Sequence, residues 1–317
     1  MVNKPLEDYK LSSDENRKHF KKNIMPILKE DFDFSRQKQP TAYFTAGLPG
    51  SGKSKVLDGW QKENNDIIVI DADELRKLHP QNSEIVDKYG ADSSEITHPD
   101  AVKWVKQLKE EAVDNRANYI IDSSMRNPRS AEIEIGQALK NGYNVRVTMV
   151  AVNKYESLQG VFDRYANQYK HNSKEARFVN PSLITEASTS IKESAATIDK
   201  LPVKEFKIVD RDMNVIYDKG HTKGTAKDNY ENFTVIKNWE PRKVEQLKEN
   251  WGKIIENLDK IGAPTKVIEG AKEIRNDLNK HVKEISRKKE LSEKIKAFSE
   301  KLKAKKQVKS KDRGFER

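Results

Sequence analysis

The chain has no cysteine among its 317 residues, which excludes disulfides, zinc–thiolate sites and cysteine nucleophiles. No apolar run approaches the roughly eighteen residues that a membrane-spanning helix requires. Met1–Lys10 lack the apolar core of a secretory leader. A cytoplasmic location with no membrane partner is the default expectation. Apolar residues are scarce as well, at 35% of the chain against 35% charged. That balance is polar for one compact globule, so part of the chain is expected to be extended and solvated. Charge of one sign is missing from the first 220 residues, which hold 34 basic and 34 acidic groups. From His221 onward there are 26 Lys and Arg against 16 Asp and Glu, so the whole net charge of +10 belongs to that end.

What is present is organised around Gly47-Leu48-Pro49-Gly50-Ser51-Gly52-Lys53-Ser54, which fits the phosphate-binding pattern G-x-x-x-x-G-K-[ST]. Thr41–Ala46 before it reads as a buried strand, and Lys55–Trp60 after it continues as a helix. In that context the glycines let successive backbone N–H groups wrap phosphate oxygens, and the helix start adds its positive dipole end. Lys53 can reach the outer phosphates of ATP, and the Ser54 hydroxyl can ligate Mg²⁺.

In chain order, a helix is expected over about Asp14–Glu30, from Phe20, Ile24, Ile27 and Leu28. Asp66–Ile70 is a second strand ending in Asp71-Ala72-Asp73, where one aspartate caps the next helix and the other is free to work. Pro99–Arg116 reads as a helix and Asn118–Asp122 as a third strand, again closed by an acid that suits Mg²⁺. Ser123-Ser124-Met125-Arg126 follow on the same edge. A helix over Ala131–Asn141 leads to a fourth strand, Val145–Val152. Ser157–Tyr169 carries Arg164, and Arg177 lies beyond it; both suit a lid over phosphoryl oxygens, which a guanidinium binds bidentately. Leu201–Val209 and Val215–Tyr217 form a terminal strand or hairpin. The expected fold is a parallel sheet flanked by helices, over residues 1–220.

Residues 221–317 have a different pattern. Val244, Leu247, Trp251, Ile254, Leu258 and Ile261 mark one amphipathic helix, ended by Gly262-Ala263-Pro264. Val267 to Val282, Ile285, Leu291, Ile295, Phe298 and Leu302 mark a longer one, giving a basic helical hairpin. Lys301–Arg317 reads as a solvated Lys-rich tail. It lacks the interleaved aromatics that stack bases, so a nucleic-acid arm is the weaker reading. The open roles for this module are docking on the first part, binding a partner, or delivery.

The order and spacing of Gly47–Ser54, Ile70–Asp73 with His79-Pro80, Ile121–Arg126, Asp163-Arg164-Tyr165 with Tyr169, and Ala176-Arg177 resemble the zeta toxin family of bacterial toxin–antitoxin systems. The resemblance covers about residues 14 to 220. It implies a phosphate-loop kinase that uses ATP and Mg²⁺ to phosphorylate the 3′-hydroxyl of the aminosugar in UDP-N-acetylglucosamine, poisoning cell-wall precursor supply. It further implies a small helical antitoxin as partner. By this likeness Lys53 stabilises the moving phosphoryl group, Asp73 is the base, and Arg164 and Arg177 neutralise the γ-phosphate. Ser54 and Asp122 would hold the metal, and His79, Ser124 and Arg126 would face the nucleotide-sugar with Asp73. Two departures stand out: Asp122 replaces the family's glutamate, and Lys106 and Gln107 replace a glutamate that meets the sugar, with Glu110 and Glu111 one turn on. These leave open a kinase of another acceptor, such as a nucleotide, a dinucleotide or a polynucleotide end. A non-catalytic nucleotide-binding module is the third reading, against which the intact set of Lys53, Ser54, Asp73, Arg164 and Arg177 speaks.

Overall fold

A computed structural model describes residues 8–64, 66–173 and 176–312, with the side chains at 91 and 296–312 left aside. Met1–Glu7, the seam positions Phe298 and Leu302, and the side chains of the Lys-rich end lie outside what is described. The helix expected near the start is present as α1 (Ser13–His19), a π-helical stretch (Phe20–Ile24) and α2 (Met25–Asp31). Ser12 and Glu15 form a capping box at its start.

Then follow β1 (Thr41–Gly47), α3 (Ser54–Glu63), β2 (Ile67–Ile70), α4 (Ala72–Lys77), α5 (Asn82–Tyr89) and α6 (Ser93–Asn115). Next come β3 (Asn118–Ile121), α7 (Pro128–Lys140), β4 (Asn144–Val150) and α8 (Lys154–His171). The sheet is completed by α9 (Pro181–Lys200), β5 (Glu205–Val209) and β6 (Val215–Asp218). Strand order is β2-β3-β1-β4-β5-β6, parallel throughout except for β6. β1 lies between β3 and β4 and is buried from Ala42 onward, as expected of a strand covered on both faces.

Register places the chemistry. Phe44 pairs with Ile121, and Ile121 with Ile70. The next residue along each strand is Thr45, Asp122 and Asp71, so these three lie in line where β3 and β2 end. The phosphate loop starts two residues further along β1.

Three helices up to residue 220 differ from expectation. α6 begins six residues before Pro99, because Ile96, Thr97 and Asp100 are buried in the body and that packing outweighs the hydrogen bond the proline removes. α5 and α9 have no counterpart among the expected elements. The start of α9, where the Asn180 side chain accepts from the Ser182 N–H just after Pro181, is a legible signal, but its buried face mixes Ile with Ala and Ser and gives a weak apolar stripe.

Beyond Gly220, α10 (Ala226–Thr234), α11 (Pro241–Lys260) and α12 (Thr265–Asp312) follow, the last two being the predicted hairpin. They do not stand apart. Trp251 meets Phe162 of α8 edge to face at 5.5 Å, Gln159 donates to the Leu247 carbonyl at 2.7 Å, and Tyr155 donates to Asp277 at 2.7 Å. Trp251, Leu258, Ala271 and Leu278 belong to the same hydrophobic core as the sheet. α12 spans 48 residues, so it is about 72 Å long, and Leu291 and Ile295 are 59% and 61% exposed. This is the extended, solvated part that the composition calls for.

Candidate active site

The phosphate loop adopts the backbone its glycines allow: Gly47, Gly50 and Gly52 have φ of 145°, 72° and 95°. The Gly47 N–H donates to the Ser124 carbonyl at 3.1 Å, and the Ser157 hydroxyl to that of Pro49 at 2.7 Å. Lys53 folds back over the loop, its Nζ 3.3 and 3.4 Å from the Gly47 and Leu48 carbonyl oxygens. Burial pushes the Lys53 ammonium down, while Asp122 nearby pulls it up. Ser54 opens α3 and is exposed.

Asp71 and Asp73 divide the work between them. The Asp71 carboxylate accepts from the Asp73 N–H at 2.7 Å and caps α4. Burial, with Asp122 and Asp73 close by, pushes Asp71 up to about 6. Asp73 escapes the capping role. One nitrogen of Arg177 donates to both its oxygens at 2.8 and 2.9 Å, and Arg76 pairs with it at 2.9 Å. Burial alone would raise Asp73, but Arg177 and Arg76 outweigh it and hold the carboxyl below its usual range.

Asp122 accepts from Thr45 at 2.6 Å, and the same hydroxyl accepts from the Ser123 N–H at 3.0 Å. Asp122 is thus oriented on the strand next to the loop. Arg164 on α8 keeps surface in contact with solvent, but the protein crowded around its guanidinium, and Arg177, lower it while Asp73 and Asp122 raise it. Lys53, Asp71, Asp73, Asp122, Arg164 and Arg177 therefore form one electrostatic cluster.

His79, Ser124 and Arg126 are placed differently. His79 is 4% exposed, its ring against Trp104 and 3.7 Å from the buried Asp100 carboxylate, and its Nδ1 accepts from the Gln81 N–H at 3.2 Å. It braces the turn between α4 and α5 rather than lining the open edge. Ser124 supports the loop through its carbonyl, and Arg126 is exposed, its carbonyl accepting from Ser190. Lys106 and Gln107 line a groove of about 520 Å³ between α1 and α6, with Glu110 and Glu111.

Three supporting residues were missed by the sequence reading. Arg76 had a signal, three residues after Asp73 on a helix. Thr45 and Arg211 had none, because their partners are 77 and 161 residues away.

The hard oxygen donors Ser54 and Asp122, beside a loop shaped for phosphate, fit Mg²⁺, which keeps several waters and shares phosphate oxygens. The fold and this edge define a phosphate-loop protein of the α/β class. A family model for zeta toxin matches residues 26–222, and the chain belongs to the zeta toxin family. It is 28% identical over 226 residues to Toxin PezT of Streptococcus pneumoniae serotype 4 (strain ATCC BAA-334 / TIGR4), covering 70% of this chain and 88% of that protein. It is also 28% identical over 142 residues to Toxin zeta of Enterococcus hirae, there covering 44% of this chain and about half, 49%, of the relative. Among solved structures, the PezAT chromosomal toxin–antitoxin system of Streptococcus pneumoniae has a chain with TM-score 0.66 at 23% identity, covering 79% of this chain and 98% of that one. The native AvrRxo1-ORF1:-ORF2 complex gives TM-score 0.55 at 14% identity, covering 80% and 88%. At those identities the likeness is one of fold. Among the described residues no helix is long and apolar enough to cross a membrane.

Proposed function

We propose that the protein is an ATP- and Mg²⁺-dependent small-molecule kinase that phosphorylates the 3′-hydroxyl of the aminosugar of UDP-N-acetylglucosamine or a related nucleotide-sugar, to the detriment of a bacterial cell. One observation carries this reading: a carboxylate, Asp73, freed from capping by its neighbour and ringed by Arg177 and Arg76 beside the loop lysine.

Phosphoryl transfer needs positioning and neutralised oxygens more than covalent chemistry. The loop amides and Lys53 would hold the β- and γ-phosphates. Arg164 and Arg177 would neutralise the moving group, Arg177 exchanging Asp73 for phosphoryl oxygen. Asp73 would accept the acceptor hydroxyl proton. Its carboxyl is held low, which suits a proton taken late, after the bond to phosphorus has begun to form. Ser54 and Asp122 would hold Mg²⁺, which supplies charge neutralisation at the phosphates. A small antitoxin is the partner proposed, as family membership suggests.

Lys106 and Gln107, standing where the family offers a glutamate to the sugar, favour a second reading in which the acceptor differs. The test is mass analysis of products after incubation with ATP, Mg²⁺ and a mixed pool of nucleotide-sugars, nucleosides and dinucleotides. A phosphorylated UDP-aminosugar is the expected product. A phosphorylated nucleoside or dinucleotide selects the second reading, and no phosphorylated product with a folded protein overturns both.

A further inference from the structure

Arg211 lies outside the phosphate-loop motif, on the turn between β5 and β6, yet its guanidinium is built into the loop. One nitrogen donates to the Gly50 carbonyl at 2.6 Å and to the Glu156 carbonyl at 2.5 Å. The first acceptor belongs to the phosphate loop and the second to the first turn of α8. The turn is tied down in return: Lys55, just after the loop, donates to the Arg211 carbonyl at 2.8 Å. The approach needs two glycines. A Cβ on Gly50 would stand 2.5 Å from the Ser157 carbonyl oxygen, and a Cβ on Gly160 would be driven into the Gly50 carbonyl and the Arg211 side chain. Arg211 Nε is buried without a hydrogen-bond partner, a cost that natural structures seldom keep without use.

We propose that Arg211 is a positioning residue of the phosphate site. It clamps the Gly50 carbonyl against α8 and so holds the shape of the loop that is to surround phosphate. A peptide unit has its N–H and C=O on opposite sides, so fixing the carbonyl of Gly50 also fixes the Ser51 N–H, which closes the turn of the loop onto the Leu48 carbonyl at 3.1 Å. The planar guanidinium suits this task because the two N–H groups of that one nitrogen lie in a fixed plane at a fixed angle to the two carbonyls, which an ammonium on a flexible stem does not reproduce. The inference rests on the nucleotide reading above and concerns the phosphate end of the ligand alone.

The test compares full-length wild type with Arg211→Ala, Arg211→Lys and Gly160→Ala. Calorimetry gives affinities for Mg·ATP and for Mg·tripolyphosphate, which samples the loop without a nucleoside, and thermal midpoints are recorded beside them. Arg211→Ala is expected to weaken both ligands together by about ten- to a hundredfold, the scale of a loss from a misplacement of roughly 1 Å. Arg211→Lys keeps the charge but is expected not to restore either affinity. Gly160→Ala, which in an ordinary helix interior would raise stability, is expected to weaken both ligands as well. If Arg211→Ala does not fold, Arg211→Lys and Gly160→Ala carry the same expectation. Wild-type affinity in Arg211→Lys overturns the clamp in favour of simple charge. Loss of ATP binding with tripolyphosphate unaffected overturns it in favour of a nucleoside contact. Unchanged ATP affinity in folded Arg211→Ala overturns it outright. A wild-type protein that binds neither ligand overturns the nucleotide reading and the clamp with it.

Discussion

Helix α8 is held from two sides by opposite means. One side, carrying Arg164, belongs to the carboxyl edge of the sheet, where Lys53, Asp71, Asp73, Asp122 and Arg177 crowd together. The other, carrying Phe162, is closed by Trp251 and the helices beyond Gly220. Charges gathered at low dielectric oppose folding unless each is paired, as Asp73 is, or shifted in pKa, as Asp71 is. Apolar burial favours folding without such pairing. The edge therefore concentrates chemistry at some expense in stability, and the cover supplies stability without chemistry. Each side can be perturbed separately.

The largest effect is expected at the edge. Lys53→Ala should cut phosphoryl transfer on the order of 10³- to 10⁵-fold, the scale of a cation at the transferring group, with the thermal midpoint nearly unchanged. Transfer retained by the folded variant would refute the role given to the loop.

Next in size is Asp73→Asn, with single-turnover transfer expected to drop about 10²- to 10⁴-fold, the usual range for a general base. ATP affinity should persist, since Asp73 is not part of the loop. Asp71→Asn keeps the cap and should transfer far better. The opposite ranking would exchange the two roles.

On the cover, Trp251→Ala should cost about 3–5 kcal/mol of stability, as large aromatic truncations in cores do, and leave the ATP affinity of the folded fraction intact. Trp251→Phe should be far milder, because it keeps the ring contact and removes an indole N–H that is buried without a partner. A change in nucleotide affinity with no change in stability would dissolve the contrast between the two sides.

The smallest effect concerns Asp71. Its folded pKa, about 6, is above the unfolded value, so its contribution favours the folded state below about pH 4 and is lost as pH rises through 6. Asp71→Asn should therefore be more stable than wild type at pH 7, by about 1–2 kcal/mol once solvent screening is allowed for. The gain should vanish near pH 4. Thermal midpoints across that window check it, and a gain largest at low pH would reverse the sign and the explanation.

Much of the edge was legible before any fold was known. The loop glycines, the strands closing in Asp71 and Asp122, and the division of labour between Asp71 and Asp73 are short-range matters. So is the apolar seam of α11 and of α12 as far as Ile285, beyond which the expected seam residues Leu291 and Ile295 stand exposed. The two-part division read from composition describes charge accurately, but the core ignores it: the apolar faces of α11 and the first part of α12 complete the packing of α8 rather than one another alone. His79 was a candidate through the family resemblance, and three-dimensional packing buries it against Trp104.

By itself the sequence determined the phosphate loop, the parallel strands and the acids that end them, because each depends on backbone preferences and side-chain periodicity over a few residues. The tertiary structure decided which charges meet. Arg177 reaches Asp73 across 104 residues and Arg211 reaches Gly50 across 161. Strand order and register set those meetings, and they are properties of the assembled sheet that no local pattern along the chain encodes.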